Sequence, residues 1–437
     1  VEPRPHPGGG QVLSVVIEND YQDTPASALE PHLDLSGLTN PKLVVTSAPR
    51  SGATVDLRDA VTVAEADGAQ GKLDAFLART DVDYTTHKQT QPTTLTIGKF
   101  AIKDDAIAVA KADVNLLQRA TEGVTVEDTV ANIGKISADL FAEVDNVYVK
   151  DSLASIASAN TKLLAEIQGK VGAAGEATFV ATDTTEASVT LSNEFLHLFD
   201  NTVYTGTSTK KFVDVSALVD ESTLNITLAG GTFDNAKNPF GTTLKEKVKV
   251  NFTGTEGGET IKLSGFKNDT VIDGKGGKDS FELGDGKDTV ILGNDLNLPS
   301  KPDPTLTSKA DDTMTVTLTK FSTTADGIQF SGALASFTSL ETKTGKASSA
   351  EIDLTGMAGK VVYMSEDESA TDFSNFSSGS SGFKGLKQNE SAIIVVSTTT
   401  SSKIYYVEER DSSDGITFGK DIVVEIANST DVKLTNT

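Results

Sequence analysis

From Gly254 to Leu298 the chain reads GTEGGETIKLSGFKNDTVIDGKGGKDSFELGDGKDTVILGNDLNL, and this stretch decides the fold. An acid stands at Glu259, Asp269, Asp279 and Asp288, and two residues after each comes an apolar side chain: Ile261, Val271, Phe281 and Val290. The steps between acids are 10, 10 and 9 residues, and Gly or Lys-Gly clusters precede them. A stacked solenoid has use for such a period, because every turn must place one apolar residue inside and one acid outside. The four apolar residues are therefore expected to share one core, with Lys267, Lys275 and Lys287 outside it.

The turn chemistry points to calcium. Glycine reaches left-handed dihedrals at no steric cost, so successive carbonyl oxygens can converge on one point. Carboxylate and carbonyl oxygens are the hard ligands that Ca²⁺ selects. The expected ligands are Asp269, Asp279 and Asp288, with Asp273 and Asp285 behind them, and the backbone of Gly274, Gly276, Gly284 and Gly286; together they would hold roughly one to three ions. The stretch resembles the RTX nonapeptide repeat, G-G-x-G-x-D-x-U-x with U a large apolar residue. Gly274-Lys-Gly-Gly-Lys-Asp279-Ser-Phe281 and Leu283-Gly-Asp-Gly-Lys-Asp288-Thr-Val290 are its best copies. Glu259 replaces Asp in the first copy, and Lys267 stands where the second should have a Gly. The resemblance implies a parallel β-roll in a type I-secreted bacterial surface protein, exported by an uncleaved C-terminal signal.

Composition sets the frame for the rest. The chain has 437 residues, enough for two to four modules of ordinary size. Lys plus Arg number 38 against 62 Asp plus Glu, a net charge of −24. Such a surface argues against nucleic acid and anionic membranes, and it suits a calcium-rich exterior where divalent ions relieve self-repulsion. There is no Cys and no Trp. Disulfide stapling, thiol catalysis and Cys-ligated zinc are thereby excluded. No run of 18 apolar residues offers a membrane span. The opening Val1-Glu-Pro-Arg-Pro-His-Pro-Gly-Gly-Gly lacks the apolar run of a secretory leader, so export is expected to use another address.

The fold class expected is mainly β with an α-helical N-terminal part, the calcium roll being flanked by β-rich modules. Residues 1–50 read as an arm with strands at Gln11–Ile17 and Leu43–Thr46, and 51–175 as a helix-rich module. In that module Val130, Ile133, Ile136, Leu140 and Phe141 share helical spacing, and Asp128 is placed to cap their helix. The order Val-x-Asp-Thr-x-x-Asn-Ile, helix, strand, Asp-Ser resembles a small module repeated in large bacterial surface proteins. Residues 176–253 form a β module, either the opening of the solenoid or a separate sandwich. The roll occupies 254–298, and after the Pro-rich Pro299–Pro304 a C-terminal β module runs from 299 to 437.

No catalytic or organic-cofactor constellation is legible. The four His lack the zinc-protease spacing, no Gly-x-Ser-x-Gly elbow occurs, and acid pairs such as Asp311-Asp312 are adjacent rather than opposed. The expectation is a non-enzymatic, calcium-dependent protein that assembles with itself into a surface layer or fibre, secreted to the cell surface, with cell-surface polysaccharide as a further partner. An adhesin gripping a glycan or host surface is the alternative, and a secreted enzyme the remotest one. The missing Trp favours the first, since sugars commonly stack on aromatic rings.

Overall fold

The structure is a computed structural model that describes most of residues 100–170, 179–199, 212–304, 315–343, 352–364, 383–397, 401–411 and 420–429, with a few single positions beyond them. Before Phe100 it describes only the short strands Arg4–Pro5, Gln11–Val12, Ser14–Val15, Val44–Val45 and Ala53–Val55. The remaining expectations for 1–99 lie outside the described residues. The chain is mostly β, with its strands largely in parallel sheets. It divides into two compact units, one built from Val1–Asp151, Ala159–Val180 and Gly206–Lys210, the other from Ser152–Ser158, Ala181–Thr205 and Lys211–Thr437.

The first unit alternates parallel strands with short helices. Ala53–Val55, Phe100–Asp104, Val124–Asp128 and Asn146–Asp151 pair in sequence order, with Ile102 beside Val124 and Val126 beside Val147. The stretch read as helix-rich is thus strand and helix in alternation. Ile102, Val124, Val126, Val147 and Val149 are buried, and so are Ala106, Val109, Val130 and Ile133 from helices Ala106–Lys111 and Val130–Ile133. The periodic run from Val130 to Phe141 is two helices, broken at Gly134. The second, Ala138–Ala142, has no buried residue, so spacing alone joined two segments of different role. Thr129, not Asp128, caps the first of them, its hydroxyl accepting from Asn132 N–H.

Asp128 does something else. It ends a strand, and its carboxylate accepts from Ala106 N–H one turn back (3.1 Å), from Thr129 N–H (2.6 Å) and from Asn132 Nδ2 (3.0 Å). Asp151 repeats the move at the end of the next strand, accepting from Val130 N–H at 3.2 Å. The free amides of each short helix are satisfied by the acid of the following turn.

In the second unit, successive strands alternate between two parallel sheets. Glu186–Leu191, Thr223–Leu228, Lys249–Thr253, Thr270–Asp273, Asp288–Leu292 and Gly327–Phe330 form one sheet in that order. Gly231–Asp234, Glu259–Lys262, Ser280–Glu282 and Val316–Thr319 begin the other. Thr260 lies beside Ser280, a step of 20 residues, and Thr270 beside Asp288, a step of 18. Of the alternatives for 176–253, the structure has its strands in the same sheets as the repeats. Both sheets also continue past Pro299–Pro304, which lies in the connection from Asp288–Leu292 to Val316–Thr319.

The second sheet then takes in Ile422–Ser429, parallel to Val316–Thr319, followed by Ser402–Glu408, Ser391–Ser397, Lys360–Met364 and Ser339–Lys343. Ser402–Glu408 is antiparallel to both its neighbours. A core of Leu354, Val362, Met364, Phe383, Ile394, Tyr405 and Val407 packs there. Within the repeats Ile261, Phe281 and Val290 are buried as expected, but Ile272 takes the place assigned to Val271, which is half exposed. Thr270, rather than Asp269, is the register partner of Asp288, so that turn reads one residue out of step.

Candidate metal centre

The turns at the two edges of the paired sheets carry the acids. On one edge, residues 254–258 stack on 274–279: Gly276 N–H donates to Thr255 O (3.2 Å) and Gly254 N–H to Asp273 O (2.7 Å). The approach is close enough to demand glycine. Gly277 has φ +92°, and a Cβ there would lie 2.2 Å from Gly257 O. A Cβ on Gly274 would lie 2.1 Å from an Asp279 carboxylate oxygen.

Asp279 is the focus of this edge. It is 2% exposed, Oδ1 accepts from Glu259 N–H of the preceding turn at 2.9 Å, and Oδ2 has no hydrogen-bond donor. Burial pushes its carboxyl up to about 7, with the Glu259 and Asp273 charges adding to the rise against the Glu259 amide. Glu259 is buried too, but both its oxygens are met, by Thr255 Oγ1 at 2.6 Å and Thr255 N–H at 3.1 Å. Asp273 is half-buried and accepts from Lys275 N–H (3.1 Å) and Asn294 Nδ2 (2.7 Å).

The opposite edge is arranged otherwise. Asp288 is fully buried, and it accepts from Thr270 Oγ1 at 2.5 Å and Gly284 N–H at 2.8 Å. Its carboxyl is raised by burial, and the charges of Asp326 and Asp269 contribute. Asp269 and Asp285 are exposed, and Asp269 accepts from Lys287 N–H at 3.0 Å. Gly286 approaches so closely that a Cβ would lie 2.2 Å from Asn268 O.

The sequence-predicted acids therefore divide. Asp279 and Asp273 lie on one edge with Gly274 and Gly276; Asp269, Asp288 and Asp285 lie on the other with Gly284 and Gly286. Sequence reasoning missed Asp326, whose Oδ1 accepts from Asp288 N–H (2.9 Å) and Oδ2 from Ser322 N–H (2.7 Å). Its signal was present in Asp326-Gly-Ile328, the same acid-x-apolar triplet, but the connection 293–315 breaks the period.

On the Asp279 edge one buried carboxylate oxygen lacks a donor, while Glu259 and Asp273 already have theirs, and the three carboxylates do not close to metal-ligand spacing. A buried carboxylate oxygen without a donor is costly, two further acids face it, and glycine backbone closes over it. On the Asp288 edge the carboxylate oxygens already have their donors, in the geometry of a hydrogen-bonded turn.

A second acidic group lies outside the repeats, at residues that no sequence motif singles out. Glu409, Asp411 and Asp421 bring carboxylate oxygens within 4.8 Å of one another, and these three can hold a metal ion. They follow and precede the antiparallel strands Ser402–Glu408 and Ile422–Ser429. No helix among the described residues is long and apolar enough to cross a membrane. No protein-family model, curated protein or solved structure matches the chain.

Proposed function

We propose that the chain is a calcium-dependent, self-assembling structural protein of a bacterial cell surface, part of an S-layer or surface fibre, and that its alternating strands form an RTX-like β-roll. The observation that carries this reading is Asp279: a buried carboxylate with one oxygen lacking a donor, facing Glu259 and Asp273 beneath glycine turns too close for any Cβ. Ca²⁺ would supply the missing positive charge, held by Asp279 with Asp273 and the carbonyls of the neighbouring turns.

The rest follows from that ion. Extracellular calcium modules bind at roughly 10⁻⁴ to 10⁻³ M, so the turns would stay empty in a low-calcium cytosol and fill outside. An unordered chain passes a type I export channel, and metal binding then drives folding on arrival. With a net charge of −24, neighbouring copies repel until divalent ions screen or bridge them, which makes assembly calcium-dependent as well. Cell-surface polysaccharide is the anchoring partner this role calls for. Sedimentation of the full chain tests the proposal: large assemblies in millimolar calcium should give way to monomers in excess chelator. Assemblies of unchanged size in chelator would refute it.

A further inference from the structure

We propose that Glu409, Asp411 and Asp421 form a second Ca²⁺ site, one that clamps the connection between the antiparallel strands Ser402–Glu408 and Ile422–Ser429. The inference rests on these three residues and stands apart from the reading of the glycine turns.

Glu409 is the decisive residue. It is 1% exposed, its two carboxylate oxygens have no hydrogen-bond donor, and they face Asp411 and Asp421. Its backbone is fixed on both sides: Glu409 N–H donates to Glu390 O at 3.1 Å, and Asn389 N–H donates to Glu409 O at 2.7 Å. The side chain is therefore anchored among acids. Asp421, 3% exposed, uses Oδ1 to accept from Arg410 N–H at 2.7 Å, which ties the two ends of the connection together. Asp411 is half-buried and opens the group to solvent, giving an ion an entry path.

The nearby cations do not neutralise the group. Arg410 turns its guanidinium to Glu408, with Nη2 3.0 Å from Oε1, and Tyr406 OH donates to the other Glu408 oxygen at 2.8 Å. Lys420 Nζ stands 3.7 Å from Asp411 Oδ2, on the exposed side. The buried Glu409 oxygen pair thus faces two further carboxylates without a donor of its own. Burial, and after it the Asp421 charge, raise the Glu409 carboxyl well above the usual carboxylate range.

The donor set selects the ion. All three ligands are carboxylates, with no Cys in the chain and no His in the group, so zinc and softer metals lack their partners. Oxygens 2.3–2.6 Å from Ca²⁺ can stand up to about 5 Å apart across it, and the observed group falls inside that span. The function is a clamp. The strands it joins contribute Tyr405, Val407 and Val423 to the core cluster, so fixing their connection fixes that core.

The test uses the full chain and trypsin, because Arg410 and Lys420 place cleavable bonds at both ends of the site. Calcium should slow cleavage after Arg410 and Lys420 by about tenfold or more, since proteolysis tracks the opened population. The same slowing is expected in Asp279→Asn, and none in Glu409→Gln or in Asp411→Asn, whose half-exposed position spares the fold. Equilibrium dialysis should count one calcium fewer per chain in Glu409→Gln. Cleavage that calcium does not slow in the unsubstituted chain, or slows equally in both site variants, overturns the assignment. Equal slowing by magnesium at equal concentration overturns the choice of ion. Failure of the turn reading looks different: calcium would then protect this connection alone and Asp279→Asn would lose no ion.

Discussion

Two regions of the molecule place buried or half-buried aspartates beside parallel strands and treat them in opposite ways. In the strand-and-helix unit, Asp128 and Asp151 end parallel strands and receive amides from short helices of the preceding turn. Asp145 likewise accepts from Val124 N–H at 2.8 Å. In the glycine-turn region Asp279 precedes a parallel strand, as Asp145 does, and accepts an amide from the preceding turn, yet its second oxygen is buried with no donor. The difference is what connects the strands. A helix start offers several unpaired N–H groups directed at the acid. A five- or six-residue glycine turn offers carbonyls and further acids, so a proton or a cation has to offset its charge. The first arrangement is complete in itself, while the second leaves a buried oxygen unpaired, which the proposed cation would meet.

Glycine substitutions should separate the regions most sharply. Gly277→Ala puts a methyl group against Gly257 O at a left-handed φ, and should destabilise the calcium-loaded second unit by about 2–4 kcal/mol. Gly134→Ala, at a right-handed φ of −64° where a Cβ would meet the Leu163 side chain at 3.2 Å and helix carbonyls at ordinary contact, should change stability by less than about 1 kcal/mol. Thermal melts of both variants in millimolar calcium check the pair; equal losses would erase the distinction between a stacked turn and a helix end.

Acid substitutions come next, and here the sign matters. Asp128→Ala leaves amides unpaired and should cost about 1–3 kcal/mol with or without calcium. Asp279→Asn should destabilise the chain in calcium but stabilise it in chelator, where the substitution removes a buried charge that nothing balances. Melts of each variant in both conditions decide it, and an Asp279→Asn chain destabilised in chelator would break the comparison.

A pH dependence is expected as well. The Asp279 carboxyl lies near 7 in the fold against 3.8 for the free side chain, so between those values the folded state holds the extra proton. Stability without metal should therefore fall as pH rises from about 4 to about 7, then level off. Asp288, also raised by burial, adds in the same direction. Calcium competes with that proton, so its affinity should weaken as pH falls below about 7. Metal-free stability that rises across this window would contradict the burial of Asp279 as a strained charge.

The sequence made part of this legible. The acid-x-apolar triplets at Glu259, Asp279 and Asp288 located three turns, because burial of the apolar residue and placement of the acid are both local demands. Asp269 misled, since the turn 263–269 is longer than its neighbours and the register shifts by one, putting Ile272 in the core and Thr270 beside Asp288. The strands Phe100–Asp104 and Val124–Asp128 fall inside the stretch expected to be helix-rich, each only five residues long. Glu409 and Asp421 stand just outside two different strands, and nothing local announces that an antiparallel pairing brings them together. Contacts made across a connection are invisible to a reading by period.

Amide hydrogen exchange on the full chain, in calcium and in excess chelator, tests the central claim most directly. Removal of calcium should strip protection from amides in residues 254–292 while those in strands Val124–Asp128 and Asn146–Asp151 keep theirs. Equal protection of 254–292 in both conditions would show that the glycine turns stand without an ion, and the account of Asp279 as a cation ligand would fall.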